Sequence, residues 1–176
     1  RRVLNMPQTG MAVTIDLDNH NDIHPPNKID VGERLARWPL AKVYSRKIHF
    51  SGPLYREATI KAGAITVVFD HTGGRLMIGK AGVGKVTELK EGTLNGFEMA
   101  NKAGAWHAAK AVIQGKNVVV RSNAVKMPAA VRYACHPQTT KDFPWNLYNM
   151  EGLPASPFCS DWSMMPYNPR LNLPHK

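Results

Sequence analysis

The chain has 176 residues, 43% hydrophobic and 20% charged, a globular composition that excludes a disordered polypeptide. Its net charge of +10 and isoelectric point near 9.8 come from scattered Lys and Arg, with no block longer than the pairs Arg1-Arg2 and Arg46-Lys47, so no nucleic-acid-binding stripe is expected. No apolar run approaches the roughly 18 residues of a membrane span, and the basic start lacks the apolar core of a signal peptide. Cys135 and Cys159 stand 24 positions apart, without a CxxC or Cys/His zinc spacing. The chain begins with Arg1 and not Met, as expected of a processed or truncated product.

Met11, Ala12, Val13 and Ile15 lie between Gly10 and Asp16. This run predicts a strand over 11–16 that is buried on both faces, as in parallel sheets. A polar loop follows with Asp16, Asp18, His20, Asn21, Asp22 and His24, stiffened by Pro25 and Pro26. Ligands of open α/β sheets bind beyond the carboxyl ends of the strands, so chemistry is expected here. Asp22 and His24 are the candidate pair. An imidazole that titrates near neutrality can take a proton from a serine hydroxyl and return it to the leaving alcohol, while a carboxylate on its other nitrogen fixes the tautomer. The ordinary alternatives are a surface histidine and an Asx-turn aspartate. Asp16, Asp18, His20, Asp22 and His24 also offer metal-ligand chemistry, although nothing in their spacing fixes a coordination number.

A helix is predicted next, capped by Asp30 with Glu33 three positions on. Val31, Leu35 and Trp38 fall on one face, extended by Leu40, Ala41 and Tyr44. Pro39 predicts a kink or a broken turn. From Ile48 the period becomes that of strands: 54–61, 65–70, 75–78, 97–100, 106–113, 117–121 and 131–135, with glycines as punctuation. Short strands of this kind predict an antiparallel sandwich, with Ile65, Val67, Phe69, Val118 and Val120 facing inward. The stretch G-K-A-G-V-G-K-V at 79–86 matches G-x-x-x-x-G-K but has Val86 where magnesium binding needs Ser or Thr, and it reads as a mobile loop. From Pro137 the chain is rich in Pro and aromatics and reads as a covering loop and tail. Trp106, Trp145, Tyr148 and Trp162 are expected to serve as core or tail anchors ahead of sugar stacking. A parallel-type strand at 11–16 has no βαβ neighbour in this chain. Its partners are expected in an N-terminal segment or another chain, a place in the sandwich being the alternative.

The ordered motifs T-G-M-A-V-T-I-D, N-D-I-H-P, V-G-E-R-L-A-R-W, S-G-P-L-Y, F-D-H-T-G-G, A-V-R-Y-A and N-L-Y-N-M-E-G-L-P-A-S-P-F resemble the C-terminal part of the sialate O-acetylesterase family of SGNH-type hydrolases. The resemblance implies an α/β plus all-β fold. Residues 1–47 would be the C-terminal end of an SGNH-type α/β/α esterase domain, 48–136 an antiparallel β-sandwich, and 137–176 a Pro/aromatic-rich loop and tail. It places the family's D-I-H-P on Asp22, Ile23, His24 and Pro25. The wider SGNH pattern has its carboxylate three positions before the histidine, where this chain has Asn21.

The implied activity is removal of O-acetyl groups from sialic acid or a related sugar by a Ser-His-Asp mechanism. His24 would act as base and then acid, and Asp22 would orient it, with Asp18 and Asp16 as the other carboxylates at hand. None of the serines at 45, 51, 122, 156, 160 and 163 lies in G-x-S-x-G or G-D-S. The nucleophile is therefore expected from an N-terminal esterase segment, in cis or as another chain. No cofactor or metal is implied, the substrate is an acetylated sugar, neither nucleic acid nor membrane is a partner, and the location is secreted, periplasmic or lysosomal. The rival is a non-catalytic β-sandwich module that binds sugar or a partner.

Overall fold

Two alternating runs, A-I-T-V-V-F-D and N-V-V-V-R, build the centre of the molecule, because every second side chain of a strand points the same way. The computed structural model describes residues 2–17, 24, 26–135 and 145–164. One helix, α1 (Lys28–Lys42), precedes the strands β1 (Leu54–Lys61), β2 (Ala64–Asp70), β3 (Leu76–Gly82), β4 (Lys85–Glu88), β5 (Phe97–Ala100), β6 (Trp106–Ala108), β7 (Lys110–Gln114), β8 (Asn117–Arg121), β9 (Ala130–Tyr133), β10 (Leu147–Asn149) and β11 (Phe158–Cys159). They form sheets of order β1-β2-β8-β7, β11-β9-β5-β6 and β10-β3-β4. Every pairing within them is antiparallel.

The expected inward set is the observed one: Ile65, Val67, Phe69, Val118 and Val120 are buried in one core with Phe97, Met99, Val131, Tyr133 and Phe158 of the second four-stranded sheet. The third sheet adds Leu76 and Leu147 to the same cluster. Tyr55 stacks on Phe158 at 4.6 Å between ring centroids, tying the edge strand β1 across to β11. The β1–β2 hairpin turns through Ala62 and Gly63 at φ of 50° and 71°, the left-handed pair whose twist matches that of the flanking strands.

Several expectations are corrected. Residues 11–16 are not a strand: they run without a ladder into a turn, where the Leu17 amide donates to Thr14 O. The Met11 and Val13 carbonyls accept from α1 side chains instead. An apolar run that packs on a helix is indistinguishable from a strand by hydropathy alone. The α/β/α part of the expected fold accordingly has no parallel sheet among the described residues.

The cap of α1 is Asn27, not Asp30, and the helix runs through Pro39. Pro39 sits near the helix end, where the main chain turns out through bonds from Val43 and Tyr44 to its carbonyl. The run 106–113 is two strands in different sheets, because the chain crosses over at Ala109. The glycine-rich stretch 79–86 is no mobile loop; it belongs to the β3–β4 hairpin, which pairs Gly79 with Glu88 through Gly82 with Lys85.

Nor is the segment after 137 a mere covering. Leu147, Tyr148, Asn149, Ala155 and Phe158 are at most 1% exposed, and the sandwich is incomplete without them. Trp106 does anchor the tail, its Nε1 donating to Met164 O at 3.0 Å, with the Arg132 guanidinium 4.4 Å from its ring centroid. Trp162, by contrast, is 58% exposed.

One buried amide joins the helix connection to the sandwich. Asn149 Nδ2 donates to Ser51 O at 3.1 Å and His71 O at 2.9 Å, while its Oδ1 accepts from the amides of Glu151 and Leu153. Beside it, a Cβ on Gly52 would lie 2.0 Å from Pro154 O, so only glycine lets these two backbones meet.

Val67, at 0% exposed, tests the strand phase. Val67→Asp is expected to cost more than about 4 kcal/mol, by loss of apolar burial and burial of an unpaired carboxylate. Chemical denaturation reads this; a variant that melts normally would show that position 67 does not face the core.

Candidate active site

Helical spacing sets three side chains of α1 in a row, four residues apart: Asp30, Arg34 and Trp38, all buried. Each grips the chain on either side of the segment that carries His24. Arg34 makes a two-pronged ion pair with Asp16, Nη1 to Oδ1 at 2.6 Å and Nη2 to Oδ2 at 2.9 Å, and Nη1 also donates to Val13 O at 2.7 Å. The paired side chains are 8% and 2% exposed. From the sandwich, the Tyr148 hydroxyl donates to Asp16 Oδ2 at 3.0 Å. Burial first, then the Asp16 charge, pushes the Tyr148 pKa up, so this hydroxyl is a fixed donor. One turn along, Trp38 Nε1 donates to Met11 O at 2.9 Å. Gly10 lies so close to this indole that a Cβ there would come within 2.5 Å of it.

The other end of the segment is fixed at the helix start. The Asp30 amide donates to Asn27 Oδ1 at 3.1 Å, and Asn27 Nδ2 returns a bond to Asp30 Oδ2. Asp30 Oδ1 in turn accepts from the Gly84 amide at 2.8 Å, at the tip of the β3–β4 hairpin. His24 itself is exposed. Asp22, Asp18, His20 and Asn21 lie outside the described residues. Asp16, one of the carboxylates that sequence offered as a partner for His24, is committed to Arg34 and Tyr148.

Two clefts flank α1. A polar one of about 300 Å³ opens between Asp30, Glu33 and Arg37, the hairpin residues Gly84 and Lys85, and Glu151. A larger one of about 790 Å³ is lined mainly by apolar groups, among them Leu4, Met6, Leu35, Trp38 and Phe50, with His71 at its rim. His71 holds a left-handed φ of 58°, and its ring meets Phe50 edge-on at 5.1 Å. Lys42 Nζ sits 4.3 Å from the same Phe50 ring centroid. Loss of water at this packed face lowers the His71 pKa, against the opposing pull of Asp70.

Five of the six serines are engaged in hydrogen bonds. The hydroxyls of Ser51, Ser122 and Ser156 donate to main-chain carbonyls, Ser163 donates to Asp161, and Ser160 accepts the Val131 amide. Both cysteines are free thiols. Burial pushes Cys135 up to about 11 and raises Cys159 as well, so neither is a ready thiolate. Among the described residues, no group of three or more His, Cys, Asp or Glu is placed to hold a metal ion.

Sequence reading missed Arg34, Asp30 and Tyr148 as members of this site. The signal was present in the spacing, since Asp30, Arg34 and Trp38 share a face at intervals of four, but a charged pair on that face reads as solvated.

No family model matches this chain, and no curated protein matches it. Among solved structures, it is similar to the crystal structure of a carbohydrate acetylesterase from Xanthomonas citri, at 38% identity and a TM-score of 0.77. The match covers 91% of this chain and 34% of that one, so the chain spans about a third of the length of the acetylesterase.

The lowered pKa of His71 gives stability a pH dependence of defined sign. Between its folded pKa and the ordinary 6.5, the unfolded chain binds more protons than the native one. Stability is therefore full above that ordinary value and falls as pH drops through the window. His71→Asn, which tolerates a left-handed φ, is expected to flatten this part of the curve. Denaturant midpoints between about pH 7.5 and 5 would show it, and an unchanged slope would assign the dependence to other groups.

Proposed function

We propose that this chain is the part of a carbohydrate acetylesterase that supplies the catalytic histidine, and that the serine nucleophile comes from an N-terminal esterase segment. The observation that carries this reading is the likeness to a carbohydrate acetylesterase at 38% identity over 91% of the chain. The D-I-H-P motif adds the residues: His24 takes the serine proton during attack on the acetyl carbonyl and returns it to the sugar hydroxyl as the ester bond breaks, with Asp22 holding its other nitrogen. Water then repeats the cycle and releases acetate. The sialate O-acetylesterase type, and with it sialic acid or a related acetylated sugar as substrate in a secreted, periplasmic or lysosomal setting, is the finer form of the proposal.

Support for an esterase partner comes from the exposed apolar side chains on and just after α1. Ile29, Leu35 and Leu40 of the helix and Val43 and Tyr44 just beyond it are between 40% and 69% exposed, and the apolar cleft lies against the same helix. An esterase segment of the length that the likeness leaves over has room to cover both. In that pairing the sandwich is a support for the loop that carries His24.

Full-length protein is expected to release acetate from an O-acetylated sugar, and the chain alone to release none. In the full-length protein, His24→Ala should lower kcat by about three orders of magnitude or more with little change in melting, as loss of a general base does in serine hydrolases. Sugar binding without turnover in the wild type would favour the non-catalytic module, and a His24→Ala variant of normal rate would remove His24 from the mechanism.

A further inference from the structure

The segment that carries His24 has two feet, and each ends on a carboxylate held from two sides. At one foot, Asp16 is held by Arg34 of α1 and by the Tyr148 hydroxyl of β10. At the other, Asp30 is held by its bonds with Asn27 and by the Gly84 amide of the β3–β4 hairpin. Since β10, β3 and β4 form one sheet, both grips from the sandwich come from a single rigid unit. Gly79 keeps that unit tight, because a Cβ there would lie 2.7 Å from the Tyr148 ring and from Val86.

A buried ion pair is a poor way to gain stability, because desolvation offsets most of the attraction. What it provides is geometry: a planar guanidinium that meets a carboxylate through two bonds fixes both position and orientation. Asp16 is one residue from the start of the segment that leads to His24, and Asn27 is three residues beyond that histidine. We propose that Arg34, Asp16 and Tyr148, with Asp30 and Gly84 at the second foot, are a clamp by which the sandwich sets the position of His24. Tyr148 and Arg34 are then positioning residues, and the β10-β3-β4 sheet is a determinant of the chemical step. This rests on the reading of His24 as the general base.

Tyr148→Phe is the decisive variant, because it removes one hydroxyl and leaves the ring in the core. In full-length protein it is expected to lower kcat roughly ten- to hundredfold, as small misplacements of a catalytic group do, with KM within about twofold of wild type. Arg34→Lys, which keeps the charge and loses the fork, should act in the same direction, and hydrogen exchange of the peptide spanning His24 should quicken in both. Val120→Ala, in the core and away from the clamp, is the control for general destabilisation and should leave kcat and that exchange unchanged. The proposal is overturned if Tyr148→Phe leaves exchange around His24 as in wild type, or if Val120→Ala lowers kcat and speeds that exchange as much. Should the wild type show no esterase activity while exchange still quickens in Tyr148→Phe, the clamp stands and the esterase reading falls.

Discussion

The rest of the structure depends on the pairing of Asp16 with Arg34. Both charges are withdrawn from water, and both are satisfied: two bonds join them, Arg34 holds Val13 O, and Tyr148 completes the carboxylate. Losing one partner would strand the other, at about 3–5 kcal/mol by the behaviour of buried pairs elsewhere. The pair is thus a constraint on arrangement more than a source of net stability. Through it, residues 10–17, the helix and the sandwich take one mutual position. Trp38 acts in the same sense with less at stake, since its single bond to Met11 O is reinforced by contact with the bare backbone of Gly10.

Hydrophobic burial and polar satisfaction divide the work. The sandwich core is apolar, and alternation in β2 and β8 is enough to specify which faces meet. Its attachment to the helical region is polar instead. Asn149 holds Ser51, His71 and the following turn, and Asp30 holds Gly84. Apolar contacts would allow sliding between these units, because their energy varies slowly with position, whereas a buried amide with all its partners made has one low-energy placement. In the proposed function, where the scaffold holds a proton-transfer group, the second kind of joint is the useful one.

How much of this was legible in the sequence follows from the same division. Short strands bounded by turn residues were readable to within a residue, as in 54–61 and 117–121, since a β-branched or aromatic-containing run between turn signals has one ready interpretation. Residues 11–16 failed because an apolar run carries no period, and half-burial, with Ile15 against the core, meets its hydropathy without a sheet. The hairpin at 79–86 failed for the opposite reason. Its glycines suggested freedom, yet Gly79 is required by the close approach of Tyr148, and the short-range pairing of β3 with β4 removes that freedom. The cap was shifted by one turn because Asp30 and Asn27 each satisfy the pattern, and only the bond from Gly84 shows that the Asp30 side chain is occupied elsewhere. Tyr148 lay in a segment read as a tail, where no periodic neighbour revealed that β10 enters the core. Its bond spans 132 positions of sequence, and pairwise contacts of that separation leave no local mark.

At the candidate site the sequence offers a composition, and its reading is chemical. A histidine within a cluster of carboxylates, followed by proline, is an uncommon composition that points to proton transfer whatever fold surrounds it. Such a composition does not say which carboxylate serves the imidazole, because Asp16, Asp18 and Asp22 are equivalent as formulae. Structure separates Asp16 from the others by what it already touches: a carboxylate with a guanidinium on both oxygens and a phenol on one has little capacity left to steer an imidazole. Asp16 is thereby consumed in holding the scaffold. In the proposed mechanism, orientation of His24 is assigned to Asp22, so that one aspartate fixes the frame and another tunes the base.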